Sequence, residues 1–493
     1  MDPAPGTLDE LRALLGEDGV LDSEAALFTY ETDALTHEEG RPAVVALPRS
    51  TDEVAAVVRW ARAHGLPVTA RGAGTGLAGG CTPLRGGVVL SLNRMDQVLE
   101  VDGARMTARV QAGLVNLRLT QEAAPHGLCF APDPSSQQVS TIGGNVAANA
   151  GGPHCLKYGL TFNHTRGLTV ELHDGAVVEL GGDACDAPGG DLAALVAGSE
   201  GTLGIVTEVW VRLVPLPEAV QTMLFDFPDV ADACRAVSAV IAAGIVPAAL
   251  EFMDRETMAV VEAWLGLGLP LDAGGMLLVE VDGPAVGLPE QVGRITAIAR
   301  EHGARSTRVA RDAAERAALW RGRKSAFGAY GRTGRPFYIM DGVVPRTRLA
   351  EALAAIYELA RARGLRAGNI FHAGDGNLHP HIMFPYDDPA AQQAALEVSH
   401  EILRTCIRLG GTISGEHGIG IEKVPLMGEL FAPDDLAVME RLRDAFDPAH
   451  ALNPGKVLPG GDAAHARGPR PMGATSAPAA TPAPAPAAEG PWT

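Results

Sequence analysis

His372, His379 and His381 crowd into the stretch FHAGDGNLHPH (371–381) of a chain that holds 14 histidines in 493 residues. Asp375-Gly376 is a two-residue hairpin signal, because both central positions of a type I′ turn take positive φ. Counting outward from that turn pairs Ala373 with Leu378 and His372 with His379. Directly opposed residues share a face with Cβ atoms about 5 Å apart, so the two imidazoles could converge on one divalent ion. His381, two residues beyond His379, shares the face. A third ligand is needed, and a carboxylate would leave open positions for substrate. TISGEHGIGIEK (412–423) offers Glu416 and His417 between Gly415 and Gly418, a mobile-looking stretch where backbone can approach another segment. Neighbours on extended chain point opposite ways, so one is expected to ligate and the other to act as a base. LWRGRKSAFGAYG (319–331) adds Arg321, Arg323 and Lys324 beside a helical run, and guanidinium suits a bidentate carboxylate partner.

Three glycine-rich loops accompany these groups. RGAGTGLAGG (71–80) contains a formal G-x-G-x-x-G, yet the chain continues CTPLRGGVVLSL into a strand instead of opening a helix. The dinucleotide fingerprint therefore fails on context, leaving a nest of backbone amides able to wrap a diphosphate. The second and third loops lie in 132–159 and 197–215. None carries a P-loop lysine, which argues against nucleoside triphosphate hydrolysis.

The elements that must hold these loops change character along the chain. Residues 42–217 alternate short apolar strands such as AVVALP and PVTARG with one clear helix, STDEVAAVVRWARAHG, capped by Ser50 or Thr51 and stopped at Gly65. Beyond 217 longer helical patterns alternate with strands. The expected organisation is an N-terminal helical segment (1–41), a strand-rich domain (42–217), an α+β domain (218–458) and a disordered Pro/Ala tail (459–493). A net charge of −19 excludes nucleic acid as a partner. Six cysteines without C-x-x-C spacing encode no zinc ribbon or iron–sulfur site and suit a reducing cytoplasm. The stretch 236–250, broken by Gly244 and Pro247, is too short to span a bilayer, so membrane contact is expected to be at most peripheral, at the inner face.

PRSTDEVAAVVRWARAHGLPVTARGAGTGLAGG, STIGGNVAANAGG and GSEGTLGIVTEV closely resemble the FAD-binding domain of the vanillyl-alcohol oxidase and p-cresol methylhydroxylase superfamily. The likeness runs from about 20 to 458, within the branch of D-lactate dehydrogenases, D-2-hydroxyglutarate dehydrogenases and the glycolate oxidase D subunit. It implies an α+β fold: a two-subdomain FAD-binding domain, a substrate (cap) domain and a flavin-proximal C-terminal segment. It implies that Arg71, Gly72, Ala73, Gly74, Thr75 and Gly76 cradle the FAD diphosphate. Pro132, Gly143, Gly144, Asn149, Gly198, Glu200, Gly201, Ile205 and Asn453 would line the rest. No histidine falls within 71–80, so non-covalent FAD is expected.

The same resemblance assigns His372, His379 and Glu416 to a divalent metal (Zn, Mn or Fe), His417 to the base and Arg323 to the substrate carboxylate. The implied activity is oxidation of glycolate or D-lactate, small 2-hydroxy acids, with hydride passing to flavin N5. Where D-2-hydroxyglutarate enzymes have a threonine this chain has Phe327, which counts against a dicarboxylate. Separate flavin and iron–sulfur subunits are the electron acceptors that the glycolate oxidase likeness implies. The competing readings are a D-2-hydroxyglutarate-type enzyme, a metal-dependent hydrolase and an idle flavin subunit.

Overall fold

The computed structural model describes residues 6–184 and 189–460; Cys185 and the Pro/Ala tail from 461 lie outside the described residues. The architecture is α+β. A first sheet runs in the order Val20–Leu21, Val44–Ala46, Val88–Ser91, Val68–Arg71, its last three strands parallel. Helix Thr51–Ala63 makes the crossover between parallel strands. Ser50 is its cap, accepting from the Glu53 amide at 3.2 Å, while the Glu53 carboxylate reaches back to the Arg49 amide at 2.7 Å. Val54, Val57, Val58 and Ala61 bury one face of the helix on Val44, Ala46, Val68 and Leu90. The N-terminal segment is not purely helical, because its Val20–Leu21 pairs with Val45–Ala46 in this sheet.

The second sheet is antiparallel, ordered Val98–Asp102, Thr107–Gln111, Ile205–Arg212, Thr165–Glu171, Val177–Gly181. From Ala219 onward an eight-stranded antiparallel sheet takes over. Its side chains alternate between two cores, as period two requires. Phe225, Phe252, Leu277, Phe371, Leu378 and Ile382 pack on one face with residues of helices Val230–Ala242, Leu349–Ala362 and Pro389–Arg408. Leu224, Met253, Leu278 and Ile370 occupy the other with helices Arg255–Leu265 and Ala313–Lys324. Burying each phenylalanine contributes roughly 2–3 kcal/mol, and a one-residue slip would expel all of these side chains from their cores at once. Alternation also puts Glu251, His372, His379 and His381 on the Ile370 face.

The hairpin register differs from the expected one. His372 pairs with Asn377, Phe371 with Leu378 and Ile370 with His379. Residues 373–376 form a four-residue loop closed by the Gly376 amide on the His372 carbonyl, with Asp375 accepting from the Asn377 amide. Only Gly376 takes positive φ (85°), so the type I′ geometry assumed for Asp375-Gly376 is absent. The change preserves parity, and His372 and His379 remain on one face as diagonal neighbours.

The chain returns to the first sheet at its end, where Leu452 bridges Val68 and the Asn453 amide donates to the Val68 carbonyl at 2.7 Å. Among the described residues no helix is long and apolar enough to cross a membrane. The stretch 236–250 divides between helix Val230–Ala242 and strand Ala249–Asp254.

Candidate active site

A cavity of about 540 Å³ runs between the glycine loops and the histidine face of the large sheet. Gly72, Ala73, Gly74, Thr75, Gly76, Gly144 and Glu200 line it from one side, and Arg323, His379, His381, Glu416 and His417 from the other. A second, smaller pocket, which shares Gly72, Thr141, Gly144 and Glu200 with the first, is lined by Arg71, Gly143, Gly201 and Ile205. The remaining candidates stand behind the wall. Pro132 gives its carbonyl to Asn116, and Pro134, Ser135 and Ser136 reach the cavity in its place. Asn149 is the left-handed cap (φ 48°) of helix Ile142–Ala148, and its side chain accepts from the Phe162 amide. Gly198 (φ 80°) donates to the Val146 carbonyl. Asn453 staples two loops together by donating to the carbonyls of Gly80 (2.8 Å) and Glu200 (2.6 Å).

Two glycines admit nothing larger. A Cβ on Gly72 would lie 2.4 Å from Thr141 Oγ1, the cap of the next helix, and one on Gly143 2.5 Å from Ala112 Cβ. Ser140 Oγ and Asn145 Nδ2 are buried in the walls without a partner among the described residues, while Ser140 and Asn145 both line the cavity. A long ligand rich in polar groups fits such a wall.

Arg71 does not reach across the cavity. Its guanidinium donates to the Thr32 carbonyl at 2.7 Å and lies over the Tyr30 ring, pinning the N-terminal segment. That segment contributes Asp33 to the cavity wall, where burial pushes its carboxyl up to about 6.

The three expected metal ligands do come together. His372 and His379 have ring centroids 5.2 Å apart, and their Nε2 atoms lie 3.3 and 3.0 Å from Glu416 Oε1. The Nδ1 atoms fix the tautomers. His372 Nδ1 donates to Glu251 at 2.8 Å and His379 Nδ1 to the Met340 carbonyl at 3.2 Å, so with both rings neutral their Nε2 atoms are lone pairs aimed at a carboxylate oxygen. Lone pairs facing one another within such distances repel unless a cation or proton lies among them, so the donor set fits a divalent ion. Burial opposes charge on this pair. The surrounding partners outweigh it, holding His372 well above the usual imidazole range and Glu416 well below the usual carboxylate range.

His417 lies parallel to His379, centroids 5.0 Å apart, and its Nδ1 is buried without a partner among the described residues. Burial, His379 and Lys423 lower it to about 4, against the opposing pull of Asp341, so the ring stands neutral near pH 7. Arg323 is buried, with Nε donating to Glu251 at 2.5 Å. Lys324 and Phe327 also line the cavity, and both side chains are exposed at its rim.

Sequence reasoning missed two buried carboxylates. Glu251 joins Arg323 to His372; its one signal was an acid at an inward position of the apolar strand Ala249–Asp254. Asp341 accepts from the amides of Gly415 (3.0 Å), Glu416 (3.2 Å) and His417 (2.9 Å), from Ser414 Oγ (2.7 Å) and from Lys423 Nζ (3.0 Å). The Glu416-His417 stretch is therefore tied down, and its glycines permit close approach: a Cβ on Gly415 would lie 2.4 Å from the Asn377 side chain. His381 stacks on Tyr330 (4.2 Å between centroids) and donates from Nδ1 to the His379 carbonyl.

Residues 42–181 match the FAD binding domain, and residues 216–457 match the C-terminal domain of FAD linked oxidases. The chain belongs to the FAD-linked oxidase family. Glycolate oxidase subunit GlcD of Escherichia coli is 44% identical over 440 residues, covering 89% of this chain and 88% of that protein. D-lactate dehydrogenase of Anaerostipes hadrus is 34% identical over 439 residues, covering 87% and 92%. The structure of p-cresol methylhydroxylase superposes with a TM-score of 0.76 at 17% identity, covering 92% of this chain and 97% of that one, and so shares the fold. This FAD-linked oxidase carries its family's FAD-binding domain beside the histidine face, so the glycine-loop wall belongs to a flavoprotein.

Proposed function

We propose that the protein oxidises glycolate or D-lactate to the 2-oxo acid, with the non-covalent FAD lying along the glycine loops and a divalent ion (Zn, Mn or Fe) held by His372, His379 and Glu416. One observation carries the reading: the loop wall faces a two-imidazole, one-carboxylate donor set across one cavity, which His379 and Glu416 line, with His372 behind them and its Nε2 3.3 Å from Glu416. The printed names of the relatives, a glycolate oxidase subunit and a D-lactate dehydrogenase, support the substrate class. When bound, FAD supplies the hydride acceptor, and the ion supplies Lewis acidity toward the substrate hydroxyl.

The chain's own residues do the rest. His417 Nδ1, neutral and unpartnered, takes the hydroxyl proton. Arg323, its Nε engaged by Glu251 and its Nη2 3.3 Å from His372 Nδ1, lines the cavity, where its guanidinium meets the substrate carboxylate, and Lys324 adds a second positive charge at the rim. Glu251 holds the His372 tautomer and the Arg323 fork together, so the metal and carboxylate positions share one anchor. The bulk of Phe327 at the rim favours a short substrate over a dicarboxylate.

Residues 42–217 serve as the FAD-binding domain and 218–458 as the substrate domain in this reading. The term subunit in the relative's name, and the lack of any cysteine cluster in this chain, support electron transfer to separate flavin and iron–sulfur subunits. A cytoplasmic setting accords with the sequence expectation. Anaerobic mixing with D- and L-2-hydroxy acids tests the activity: purified protein should be yellow and bleach with glycolate and D-lactate but not L-lactate. A colourless protein, or one that stays yellow with every acid, overturns the reading.

A further inference from the structure

The loop Ser414–Gly420 carries both Glu416 and His417 yet belongs to no helix or strand. Every amide from Gly415 to Gly420 nevertheless has an acceptor. Those of Gly415, Glu416 and His417 point into the Asp341 carboxylate. That of Gly418 donates to Ser414 Oγ at 3.0 Å, and Ser414 in turn donates to Asp341. The amides of Ile419 (2.6 Å) and Gly420 (2.9 Å) point into the carboxylate of Glu200. Asp341 follows the strand Phe337–Ile339 of the large sheet, whereas Glu200 lies in the third glycine loop at φ 54°, a strained conformation for a side-chain-bearing residue.

Both acids are buried. Asp341 forms an ion pair with Lys423 in which both side chains are fully enclosed, and Lys423 Nζ also donates to the Gly418 carbonyl. Glycines make the approach possible: a Cβ on Gly418 would lie 2.6 Å from Glu200 Oε1, and one on Gly420 1.9 Å from the Ala78 carbonyl. An unpaired buried carboxylate is costly, and backbone amides of one irregular loop supply most of the pairing here. The loop and its two acids therefore stabilise each other.

We infer that Asp341 and Glu200 are positioning residues: two carboxylates, one from each side of the cavity, that suspend the loop so that Glu416 meets the imidazoles and His417 faces the substrate. The inference rests on the proposed activity for its kinetic consequence, but not for its structural one. Loosening either end should shift the two side chains by a fraction of their contact distances, and a displacement of about 1 Å costs roughly a hundredfold in rate.

The test uses the full-length holoenzyme with Asp341→Asn, Glu200→Gln and the milder Ser414→Ala. Hydrogen exchange resolved to single amides should rise about tenfold at 415–417 in Asp341→Asn and at 419–420 in Glu200→Gln, each sparing the other end. General destabilisation would instead raise exchange throughout the sheet. Mn2+ binding to chelator-stripped protein should weaken about tenfold in Asp341→Asn, and flavin reduction by glycolate should slow about a hundredfold at unchanged flavin content. If Asp341→Asn does not fold, Ser414→Ala decides, since it removes one donor to Asp341 and the acceptor of the Gly418 amide. Wild-type exchange at 415–420 with wild-type Mn2+ affinity in the variants overturns the proposal. If wild-type protein is not reduced by glycolate or D-lactate, the functional reading fails while exchange and Mn2+ binding still judge the suspension.

Discussion

Replacing Glu251 by glutamine changes one atom of a buried acid that serves two masters. Its carboxylate accepts from Arg323 Nε at 2.5 Å and from His372 Nδ1 at 2.8 and 2.9 Å, and it is 1% exposed, so no water replaces a lost acceptor. Glutamine offers one acceptor oxygen to two donors. If Arg323 keeps it, the His372 proton is no longer held on Nδ1, and the other tautomer puts a hydrogen on Nε2, where it points at Glu416 Oε1 in place of a metal ion. Partners of this kind are worth about 10–100-fold in metal affinity, which corresponds to about 1.4–2.7 kcal/mol. The variant should bind Mn2+ that much more weakly in equilibrium dialysis of chelator-stripped protein. The amides of its loop Ser414–Gly420 bond to Asp341, Ser414 and Glu200 rather than to Glu251, and should keep wild-type hydrogen exchange. Mn2+ affinity within about twofold of wild type would refute the claim that Glu251 fixes the His372 tautomer.

Gly72→Ala places a methyl against Thr141 Oγ1, pushing the cap off helix Ile142–Ala148; lost capping costs about 1 kcal/mol, and FAD content after dialysis should fall well below the wild-type ratio. Phe327→Thr shortens the rim, and kcat/KM for D-2-hydroxyglutarate relative to D-lactate should rise about tenfold in steady-state assays. His154 lies between Asp133 (2.8 Å) and Glu280 (3.3 Å) and stacks on Trp320. Burial alone would lower its pKa, but the two acids raise it to about 10. A raised folded pKa means the stabilisation is fully present below the unfolded value of about 6.5 and is lost as pH climbs through about 10. Urea unfolding should therefore show a gap between wild type and His154→Gln of about 2–3 kcal/mol at pH 6, shrinking toward pH 10; a gap that is flat with pH contradicts the assignment.

Local chemistry that sits in contiguous residues is legible in the sequence. Ser50 and Gly65 bound their helix because caps are set by neighbours in sequence, and the glycine loops announced backbone that needs space. The histidine face was legible for a subtler reason: strand parity survives an error of two in register. Asp-Gly favours a two-residue type I′ turn, yet a four-residue loop in which Gly376 alone takes positive φ satisfies the same glycine. What stayed hidden were groups whose partners are distant in sequence. Asp341 serves amides 74 to 76 residues away, and Glu200 serves amides 219 and 220 residues away, and no local periodicity reports such bonds. Pro132, Asn149 and Asn453, which the resemblance assigns to the cofactor, also brace the loops that line the cavity, through bonds to partners that no local pattern reports.

The central claim joins a metal to a flavin reaction in one cavity, and stopped-flow flavin bleaching with and without metal tests it most directly. Anaerobic holoenzyme mixed with glycolate or D-lactate should lose its flavin absorbance, stop doing so after chelator treatment, and recover when Mn2+ or Zn2+ is returned, with FAD retained throughout. Bleaching at the same rate in chelator-stripped protein, with metal analysis confirming its removal, would contradict the role given to His372, His379 and Glu416.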